Sequence, residues 1–593
     1  MAEPTGLPEP ELTSTIEVIR RGIKTTPQLA QGIRLTASMG VIFALGQITV
    51  PIVIQQAIDR GGLSSGTVDV DTVATLGVLG IAVVVATELL GVFVKNRLIS
   101  RAEGSLRELR VLAFGHAHKL SLQHHNEQST GVLISRVTSD VDSLARFADW
   151  GLFTWLVQPV VVIGIFITIA VYSWQLALIG IVLFLPVYSA LRWVRGRMAA
   201  AHDARRTAIG DLLGAFTETL NGAEVIRAYN AEEVMAERLD EVSERRYDAG
   251  IKANVFMSGV YVVGDLIGTT MMAVLLVVGV VQRDALGLSA GELIAILTLA
   301  TLLQSPIAEL GETINSAQQA VAGWRKVLGL LDRRVEIAET AGAIELAPGA
   351  LSIETRDLGF AYNDGEQVLR DVSVTIDAGA RVAIVGETGS GKSTFARMLC
   401  RLAEPQHGAV LIGGQTLNDV SDASRRRSIR MVPQDGFLFN TTVGQNIRSG
   451  RKDATDADIA GAIDLLGLSE WIASLPNGLD TEVGERGSLL SVGERQLVSF
   501  ARAAVADPGL LILDEATSSV DPQTDLQLTR AIEQVSVGRT VISIAHRLAT
   551  AEAADLVLVF DQGQLVESGP HDVLAAGTGP YSKLYAAWSS SAQ

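Results

Sequence analysis

The sequence predicts a multidomain protein, in which an all-α transmembrane domain of six helices with long cytoplasmic helical extensions is followed by an α/β domain with a phosphate-binding loop. Two observations predict this fold class. The first half of the chain holds six long apolar stretches, and after Leu331 short β-branched runs alternate with helical patterns, as in α/β domains. We expect the transmembrane domain over residues 1–331, a linker over 332–350 and the second domain over 351–593.

Composition supports a membrane protein and excludes other classes. Hydrophobic residues make up 48% of the chain and charged residues only 19%, which excludes a disordered protein. The net charge is −17, so the chain has no overall electrostatic reason to bind nucleic acid. The single cysteine, Cys400, excludes an internal disulfide. The acidic first residues lack the basic-then-apolar order of a cleaved signal peptide.

Each apolar stretch is close to the length that crosses a bilayer. A spanning helix needs about 20 residues, because the hydrocarbon core is about 30 Å thick and a helix rises about 1.5 Å per residue. Six such stretches in one half of the chain favour membrane spans over the buried helices of a soluble core. They cover residues 35–58, 72–94, 152–171, 176–191, 255–281 and 293–310.

Basic residues gather on alternate sides of the spans and predict the orientation. Because basic loops stay cytoplasmic, both termini and the second domain should lie inside. An excess of Arg over Lys with abundant Ala, Gly and Val is typical of GC-rich bacteria, which favours the plasma (inner) membrane. The basic clusters are Arg20, Arg21, Lys24 and Arg34 before the first span, Lys95, Arg97, Arg101, Arg107 and Arg110 after the second, and Arg192, Arg195, Arg197, Arg205 and Arg206 after the fourth.

Segments outside the spans also carry helical patterns. Four apolar residues before the first span share one helical face, which is typical of an interfacial helix on the cytoplasmic leaflet or of an amphipathic helix packed on protein. They are Leu12, Ile16, Ile19 and Ile23. The polar loops 95–150 and 192–254 have helical periodicity, so we expect the membrane helices to continue into the cytoplasm. Four histidines of the first loop are expected on a solvated helix face rather than in a metal site. They are His116, His118, His124 and His125.

The second domain contains the sequence pattern of a phosphate-binding loop. Residues 381–385, RVAIV, form a buried-strand run that precedes the loop 386–393 and a helical pattern over 395–402. This is the G-x-x-x-x-G-K-[ST] pattern in its strand–loop–helix context, where backbone amides form an anion nest. Lys392 places a charge near the β- and γ-phosphates, and the Ser393 hydroxyl can ligate Mg²⁺. The predicted phosphate contacts are Gly386, Glu387, Thr388, Gly389, Ser390, Gly391, Lys392, Ser393 and Thr394.

A second apolar strand ends in two acids. Residues 510–515 read LLILDE. Asp514 at the strand end is placed to hold Mg²⁺ through water, and Glu515 can polarise an attacking water as a general base. Two acids after a strand are also compatible with a solvated loop, but the phosphate loop favours the catalytic interpretation.

Further motifs carry a family resemblance. Residues 490–496, LSVGERQ, resemble the LSGGQ signature of ATP-binding cassette (ABC) transporters and precede the second acidic strand at family spacing. Residues 481–487, TEVGERG, resemble a short motif of exporter-type members. Four single residues resemble the family's Q-loop glutamine, D-loop aspartate, switch histidine and adenine-stacking aromatic, namely Gln434, Asp521, His546 and Tyr362. The order of these motifs along one domain makes the match specific, and the chain resembles this family over essentially its whole length.

The resemblance implies a site and its cofactors. The second domain would be an α/β P-loop ATP-binding cassette domain that uses ATP and Mg²⁺. Implied catalytic residues are Lys392, Gln434, Glu515 and His546. Implied nucleotide contacts besides the phosphate loop are Tyr362, Ser491, Gly493 and Asp521, and implied Mg²⁺ contacts are Ser393, Gln434 and, through water, Asp514.

The membrane half resembles the six-helix exporter-type domain. Residues 130–136 and 140–141 resemble its first cytoplasmic loop, and 218–222 with 228–232 resemble its second. In the family these loops carry coupling helices that press on the nucleotide domains. The family's ATP site is composite, with the signature of one subunit covering the phosphate loop of the other, so the resemblance implies a dimer of half-transporters.

The resemblance implies transport of a solute across the membrane by alternating access, driven by ATP hydrolysis, with export favoured. An importer built on the same fold is an alternative. So is an ATP-gated channel or a regulatory membrane sensor with little turnover, although the intact Glu515 and His546 argue against low turnover. The transported solute is not indicated by any motif.

The signature departs from the family pattern at Val492 and Glu494. Val492 adds a β-branched side chain where glycine is usual. An ionised Glu494 close to the nucleotide would repel its phosphates. The catalytic residues beside this chain's own phosphate loop therefore look complete. The signature, which would cover the phosphate loop of the other subunit, looks imperfect. This favours a heterodimer whose partner supplies a better signature, over a homodimer that tolerates the variant.

Two acids lie inside apolar runs, Glu88 in the second span and Asp265 in the fifth. Both are expected at similar depth, in the cytoplasmic half of the membrane. Intramembrane carboxylates are costly and are functional hypotheses by default. They could bind a cationic or zwitterionic substrate, or form a structural hydrogen bond to a neighbouring helix.

Overall fold

The computed structural model describes residues 14–62, 68–127, 130–337, 339–340, 342–362, 365–514, 522–545 and 548–591. The chain divides into two compact units, of which one is Met1–His118 with Thr130–Arg333 and the other is Lys119–Ser129 with Arg334–Gln593. Residues 119–127 of the first polar loop therefore group with the second unit. The residue limits predicted for the domains and the linker stay predictions.

The described part of the chain is helical up to residue 331. The helices are α1 Thr15–Thr25, α2 Pro27–Ala30, α3 Ile33–Gln47, α4 Thr49–Arg60, α5 Val70–Ala117, α6 Leu122–Glu127, α7 Thr130–Val137, α8 Ser139–Arg146, α9 Leu152–Tyr172, α10 Trp174–Asn221, α11 Ala223–Ala228, α12 Glu232–Val281, α13 Arg283–Leu286, α14 Ala290–Leu302 and α15 Gln304–Leu331. A π-helical turn, Phe147–Gly151, joins α8 to α9. Helices α5, α10 and α12 hold 48, 48 and 50 residues, or about 70 Å each at 1.5 Å per residue. They extend far past a hydrocarbon core of about 30 Å, which confirms the predicted extensions.

Each predicted span coincides with apolar helix. Among the described residues, three helical segments are long and apolar enough to cross a membrane, Ile33–Arg60, Val70–Ala117 and Gly131–Tyr172. Three shorter apolar helical stretches follow, Trp174–Leu185, Asp265–Val281 and Ala290–Pro306. Together these six match the positions of the six predicted spans.

The N-terminal helix α1 packs on protein with one face and leaves another exposed. Val18 and Gly22 are buried, and a methyl group added to Gly22 would lie 2.6 Å from the indole of Trp324 on α15. Ile16 is 77% exposed and Ile23 39%. The valine–glycine face therefore packs on protein, while Ile16 and Ile23 of the predicted apolar face are exposed. Leu12 lies outside the described residues.

Of the four clustered histidines, His118 is exposed as expected, and the side chain of His125 lies outside the described residues. The other two are not on a solvated face, contrary to expectation. His124 is 6% exposed, and Nε2 of His116 lies 2.9 Å from the carbonyl oxygen of Arg333. The expectation failed because a polar loop sequence does not reveal that its helix ends fold against other segments. Within the described ranges, no group of three or more His, Cys, Asp or Glu side chains is placed to hold a metal ion.

The second unit contains two β-sheets and short helices. The strands are β1 Ile353–Ala361, β2 Gln367–Ile376, β3 Arg381–Val385, β4 His407–Ile412, β5 Gln415–Thr416, β6 Ile429–Val432, β7 Leu510–Asp514, β8 Thr540–Ile544, β9 Leu556–Asp561 and β10 Gln564–Gly569. The helices are α16 Lys392–Leu399, α17 Asp422–Ser428, α18 Val443–Arg448, α19 Asp456–Leu465, α20 Ser469–Ser474, α21 Val492–Ala506, α22 Pro522–Ser536, α23 Leu548–Glu552, α24 His571–Ala575 and α25 Pro580–Ser591. A four-stranded antiparallel sheet has the order β2-β1-β4-β5, and a six-stranded sheet has the order β10-β9-β3-β8-β7-β6. All neighbours in the larger sheet pair in parallel except β10 with β9.

The two faces of the six-stranded sheet belong to different hydrophobic cores. Side chains alternate between faces along a strand, so on β7 Ile512 joins one core and Leu513 the other. The first core includes Phe395 of α16, and the second includes Leu497 of α21. Helices α16 and α21 therefore pack on opposite faces of one sheet.

Candidate functional site

Four parallel strands of the larger sheet end side by side, and each end is followed by a predicted site residue or motif. Ile384 of β3 pairs with Ile544 of β8, which pairs with Asp514 of β7, and β7 pairs in turn with β6. These registers bring the phosphate loop, the segment after β8, the acidic end of β7 and Gln434 to one edge. The carboxyl edge of a parallel sheet is where α/β proteins bind ligands.

The phosphate loop has a backbone that excludes side chains at two points. Gly386 has φ +150° and lies against β9, so an added methyl would sit 2.2 Å from the carbonyl oxygen of Phe560. Gly391 has φ +101°, and an added methyl would sit 2.8 Å from the Leu369 side chain. The loop therefore keeps a concave backbone, which is the form of an anion nest at a helix start.

Lys392 is folded into the loop. Its side chain is 6% exposed, and Nζ donates hydrogen bonds of 2.7 Å to the carbonyl oxygens of Gly386 and Glu387. Burial lowers the pKa of Lys392, and the charge of Asp514 opposes this shift. The ammonium group therefore lies near the acidic end of β7, where the prediction places the β- and γ-phosphates.

The hydroxyl groups around the loop differ in their surroundings. Ser390 is 4% exposed, and its hydroxyl has no hydrogen-bond partner among the described residues. Ser393 is half-buried on the first turn of α16. Thr394 is buried, and its Oγ1 lies 3.2 Å from the Tyr362 hydroxyl. A buried, unsatisfied hydroxyl in the nest fits a phosphate oxygen as its missing partner.

Tyr362, the predicted adenine-stacking residue, stands beside the start of α16. Its ring makes an edge-on contact with Phe360 at 4.8 Å between ring centroids. Its hydroxyl also accepts a hydrogen bond of 3.4 Å from Nη1 of Arg397. These contacts fix the half-buried ring next to the phosphate loop.

The remaining predicted contacts divide into exposed residues and residues outside the described part. Gln434 is exposed two residues after β6, and Glu387 and Thr388 are exposed in the phosphate loop. Glu515, Asp521 and His546 lie outside the described residues. Their roles stay predictions, although the strands that lead to Glu515 and His546 are adjacent.

The signature residues form the start of helix α21. Ser491 is the N-cap, Val492 is the first helical residue and is 42% exposed, and Gly493 is buried. The Ser491 hydroxyl accepts a hydrogen bond of 3.2 Å from the Glu494 amide. Ser491 and Val492 thus lie at an accessible helix start.

The carboxylate of Glu494 is bound within its own domain. One oxygen accepts from the Ser491 amide at 2.8 Å, which completes a reciprocal capping box, and the other accepts from Nε1 of Trp471 at 3.2 Å. The sequence motif did not reveal this partner, because Trp471 lies in the separate helix α20. A carboxylate held in this way serves the helix start.

The two predicted membrane acids show no internal partner. Glu88 on α5 and Asp265 on α12 are both exposed. Neither forms a hydrogen bond or an ion pair with the residues that the structure describes. Among the described residues, therefore, nothing supports the alternative of a structural hydrogen bond between helices.

A different acid in the membrane domain does form an interhelical contact. Glu309 of α15 accepts hydrogen bonds from Nε2 of Gln158 on α9 at 2.7 Å and from the Ser305 hydroxyl at 2.8 Å. Sequence reasoning missed this pair, because the partners are far apart in the chain. The polar interruption of the sixth apolar stretch at Glu309 was the available signal.

Two family models match the chain. A model of the ABC transporter transmembrane region matches residues 36–307, and an ABC transporter model matches residues 369–518. The second match includes the phosphate loop, the signature and the acidic strand.

Full-length relatives show similarity across both halves. An ATP-dependent lipid A-core flippase of Pseudomonas aeruginosa is 34% identical over 85% of this chain and 84% of its own. An ATM1-type heavy metal exporter of Novosphingobium aromaticivorans is 32% identical over 91% of this chain and 89% of its own. The solved structure of a bacterial Atm1-family ABC exporter with ATP bound has a TM-score of 0.79 and 30% identity, and the match covers 96% of this chain and 98% of that one.

Proposed function

Because the chain belongs to the ABC transporter family, we propose that it is one half of a dimeric exporter that moves a solute across the plasma membrane by alternating access. The family assignment makes it an ATPase coupled to transport. The observation that carries the proposal is the alignment of four strand ends at one sheet edge, which gathers the phosphate loop and the predicted catalytic segments. The basic loops support an orientation with both termini and the nucleotide-binding domain in the cytoplasm.

The nucleotide would lie along this edge. The loop amides and Lys392 would hold its phosphates, and Tyr362 would stack on adenine. Ser393, Gln434 and, through water, Asp514 would hold Mg²⁺, which neutralises phosphate charge when bound. The side-chain types and the concave loop fit that ion and the phosphates.

Residues after the strand ends would carry the hydrolysis. Glu515 would accept a proton from the attacking water, and His546 would contact the γ-phosphate. Asp521 would contribute from the loop that follows Glu515. The charge of Lys392 would stabilise the negative charge that develops on the phosphate.

The fold of one domain supports dimerisation. Helices α16 and α21 pack on opposite faces of one sheet, so the signature of a chain is anchored away from its own phosphate loop. A composite site would therefore take its signature, Ser491 with Gly493, from a second subunit.

We favour a heterodimer because Val492 places a branched side chain at the exposed start of α21. The contacts of Glu494 favour the second candidate, a homodimer, since its carboxylate is already bound to Ser491 and Trp471. Purification of this chain alone separates the two. Robust Mg²⁺-dependent hydrolysis by a two-fold symmetric dimer would contradict the heterodimer.

Two features of the cytoplasmic loops support coupling to the membrane domain. Residues 119–127 group with the nucleotide-binding unit. The turn between α10 and α12 leaves Leu220, Val225 and Tyr229 exposed by 73%, 61% and 80%. Exposed apolar side chains at a loop tip suit contact with another subunit.

The substrate proposal rests on Glu88 and Asp265. Both are exposed and unpaired within the described chain, and an unpaired intramembrane carboxylate suits a cationic or zwitterionic group of the solute. The two relatives are named for different cargoes, lipid A-core and heavy metals. Glu88→Gln and Asp265→Asn should each weaken binding of such a solute while leaving basal ATP hydrolysis unchanged.

The direct test of the mechanism uses Glu515→Gln in the assembled dimer. Loss of the general base should slow hydrolysis by about 100-fold or more, while nucleotide binding persists and the closed, ATP-bound state accumulates. Steady-state turnover and retention of labelled ATP measure the two effects. Unchanged turnover would remove Glu515 from the mechanism, and Glu533→Gln on the helix that follows is a matched control.

A further inference from the structure

Two arginines of helix α5 converge on the turn that precedes helix α3. Gly32 is the N-cap of α3 and has φ +65°. A methyl group added to Gly32 would lie 3.2 Å from Nη2 of Arg97 and 3.4 Å from Nη1 of Arg101. Residues four apart share one helix face, so both guanidinium groups reach the same exposed turn.

This pair of like charges has no carboxylate to compensate it among the described residues. Both side chains are half-buried. Nε of Arg97 donates to the Thr36 hydroxyl at 3.2 Å, and Arg101 forms no hydrogen bond or ion pair within the described chain. Positive charges held together in a partly buried place are stabilised by an anion between them.

The position of the turn relative to the membrane identifies the anion's surroundings. Counted at about 1.5 Å per residue, Gly32 lies about 40 Å from the outer end of the helix pair α3 and α4. Arg97 lies about 40 Å from the outer end of α5. A bilayer measures about 40–45 Å with its headgroups, so the turn falls at the headgroups of the cytoplasmic leaflet. On the membrane side of the turn, Ile33 and Leu35 are 43% and 54% exposed. Charge at headgroup depth next to exposed apolar side chains suits a lipid.

We propose that Arg97 and Arg101 bind the phosphate group of an anionic phospholipid from the cytoplasmic leaflet. Guanidinium groups bind phosphate oxygens through paired hydrogen bonds. The start of α3 adds a favourable field to the same place. The lipid would tie the segment after α1 to α5, and so hold the N-terminal helix at the membrane surface. The identification of the leaflet rests on the orientation proposed above.

The test measures lipid binding to the full-length chain in detergent by native mass spectrometry. Phosphatidylglycerol is titrated as the anionic lipid and phosphatidylcholine as the neutral one. Arg101→Gln should weaken phosphatidylglycerol binding about tenfold, since it removes charge-assisted hydrogen bonds, and Arg97→Gln with Arg101→Gln should weaken it further. Arg107→Gln is the matched control, because it lies on the same helix about 9 Å beyond Arg101, and it should bind like the wild type.

Several results would overturn the site. One is unchanged phosphatidylglycerol affinity in Arg101→Gln, and another is an equal loss in Arg107→Gln. Competition by millimolar inorganic phosphate would assign the arginines to a soluble phosphate instead of a lipid. If the double variant does not fold, as judged by nucleotide binding, the single variant and Arg101→Lys decide, and Lys should retain most of the binding. Binding in detergent does not depend on sidedness, so its failure leaves the proposed orientation and transport function untouched.

Discussion

Helices α16 and α21 both begin at predicted nucleotide contacts, but their first turns are built differently. Helix α16 follows Gly391, which provides no side-chain cap. Helix α21 follows Ser491, whose hydroxyl forms a reciprocal capping box with the carboxylate of Glu494. The start of α16 thus leaves its amides for an outside anion, whereas α21 satisfies part of its own start. The N-cap residue decides whether a helix start is open to a ligand or stabilised from within.

Replacement of Lys392, at the uncapped start of α16, should have the largest effect. Lys392→Ala removes the charge held at the loop carbonyls, and ATP hydrolysis should fall by about 100-fold or more. Steady-state phosphate release measures the effect. Lys452→Ala, at an exposed lysine of the same domain, is the control and should retain activity. Hydrolysis by Lys392→Ala at the wild-type rate would remove the loop from the mechanism.

A pair of glycine substitutions tests whether the loop must stay concave. Gly386→Ala places a methyl 2.2 Å from a carbonyl oxygen, whereas Gly389→Ala meets no atom within 4 Å, although both have left-handed backbone. Gly386→Ala should lower the free energy of unfolding by about 1–3 kcal/mol more than Gly389→Ala, and should bind nucleotide more weakly. Thermal unfolding and titration with a fluorescent ATP analogue report both. Equal losses in the two variants would mean that contact with β9 is unimportant.

Substitutions of Glu494 test the capped start of α21. Glu494→Ala should cost about 1 kcal/mol of folding stability, as the loss of a capping contact does. Glu494→Gln keeps an oxygen for the Ser491 amide, so ATP hydrolysis should change by less than about fivefold. Asp458→Ala is a stability control in the capping box of α19, away from the signature. A tenfold rise in hydrolysis for Glu494→Gln would show that the carboxylate opposes the phosphates.

The smallest expected effect is the protection of the Cys400 thiol from labelling. It tests the stability of α16 and not that of α21. Cys400 directly follows α16, and burial raises the pKa of its thiol to about 12. The native state therefore favours the protonated thiol. The protonated, buried thiol therefore contributes to the free energy of unfolding. The contribution is complete below the ordinary thiol pKa of about 8.5 and is lost as the pH rises towards 12. Maleimide at pH 8 should leave the folded chain unlabelled and label it after denaturation, as mass spectrometry can measure. Rapid labelling of the folded chain would mean that α16 opens readily.

The phosphate loop could be predicted from sequence because all its determinants are contiguous. A buried strand, glycines and a lysine at fixed spacing specify the strand, the nest and the helix start. The six spans were equally readable, since each is a local run of apolar residues. The contacts of Glu494 could not be predicted from the sequence, because its second partner, Trp471, belongs to another helix.

Contacts between distant segments set the limit of the sequence reasoning. The bond between Gln158 and Glu309 and the convergence of Arg97 and Arg101 on Gly32 depend on helix packing. Hydrophobic periodicity predicts that helices pack but does not give their register against one another. The burial of His124 and the contact of His116 with Arg333 escaped prediction for the same reason.

The placement of α16 and α21 on opposite faces of one sheet has a genetic consequence. A chain disabled at Lys392 still carries an intact Ser491, and a chain disabled at Ser491 still carries an intact Lys392. If two copies of the chain form the proposed composite sites, two such defective alleles expressed in one cell would rebuild one whole site in every mixed pair and restore partial turnover. If the chain pairs only with a different protein, the same two alleles would not rescue each other.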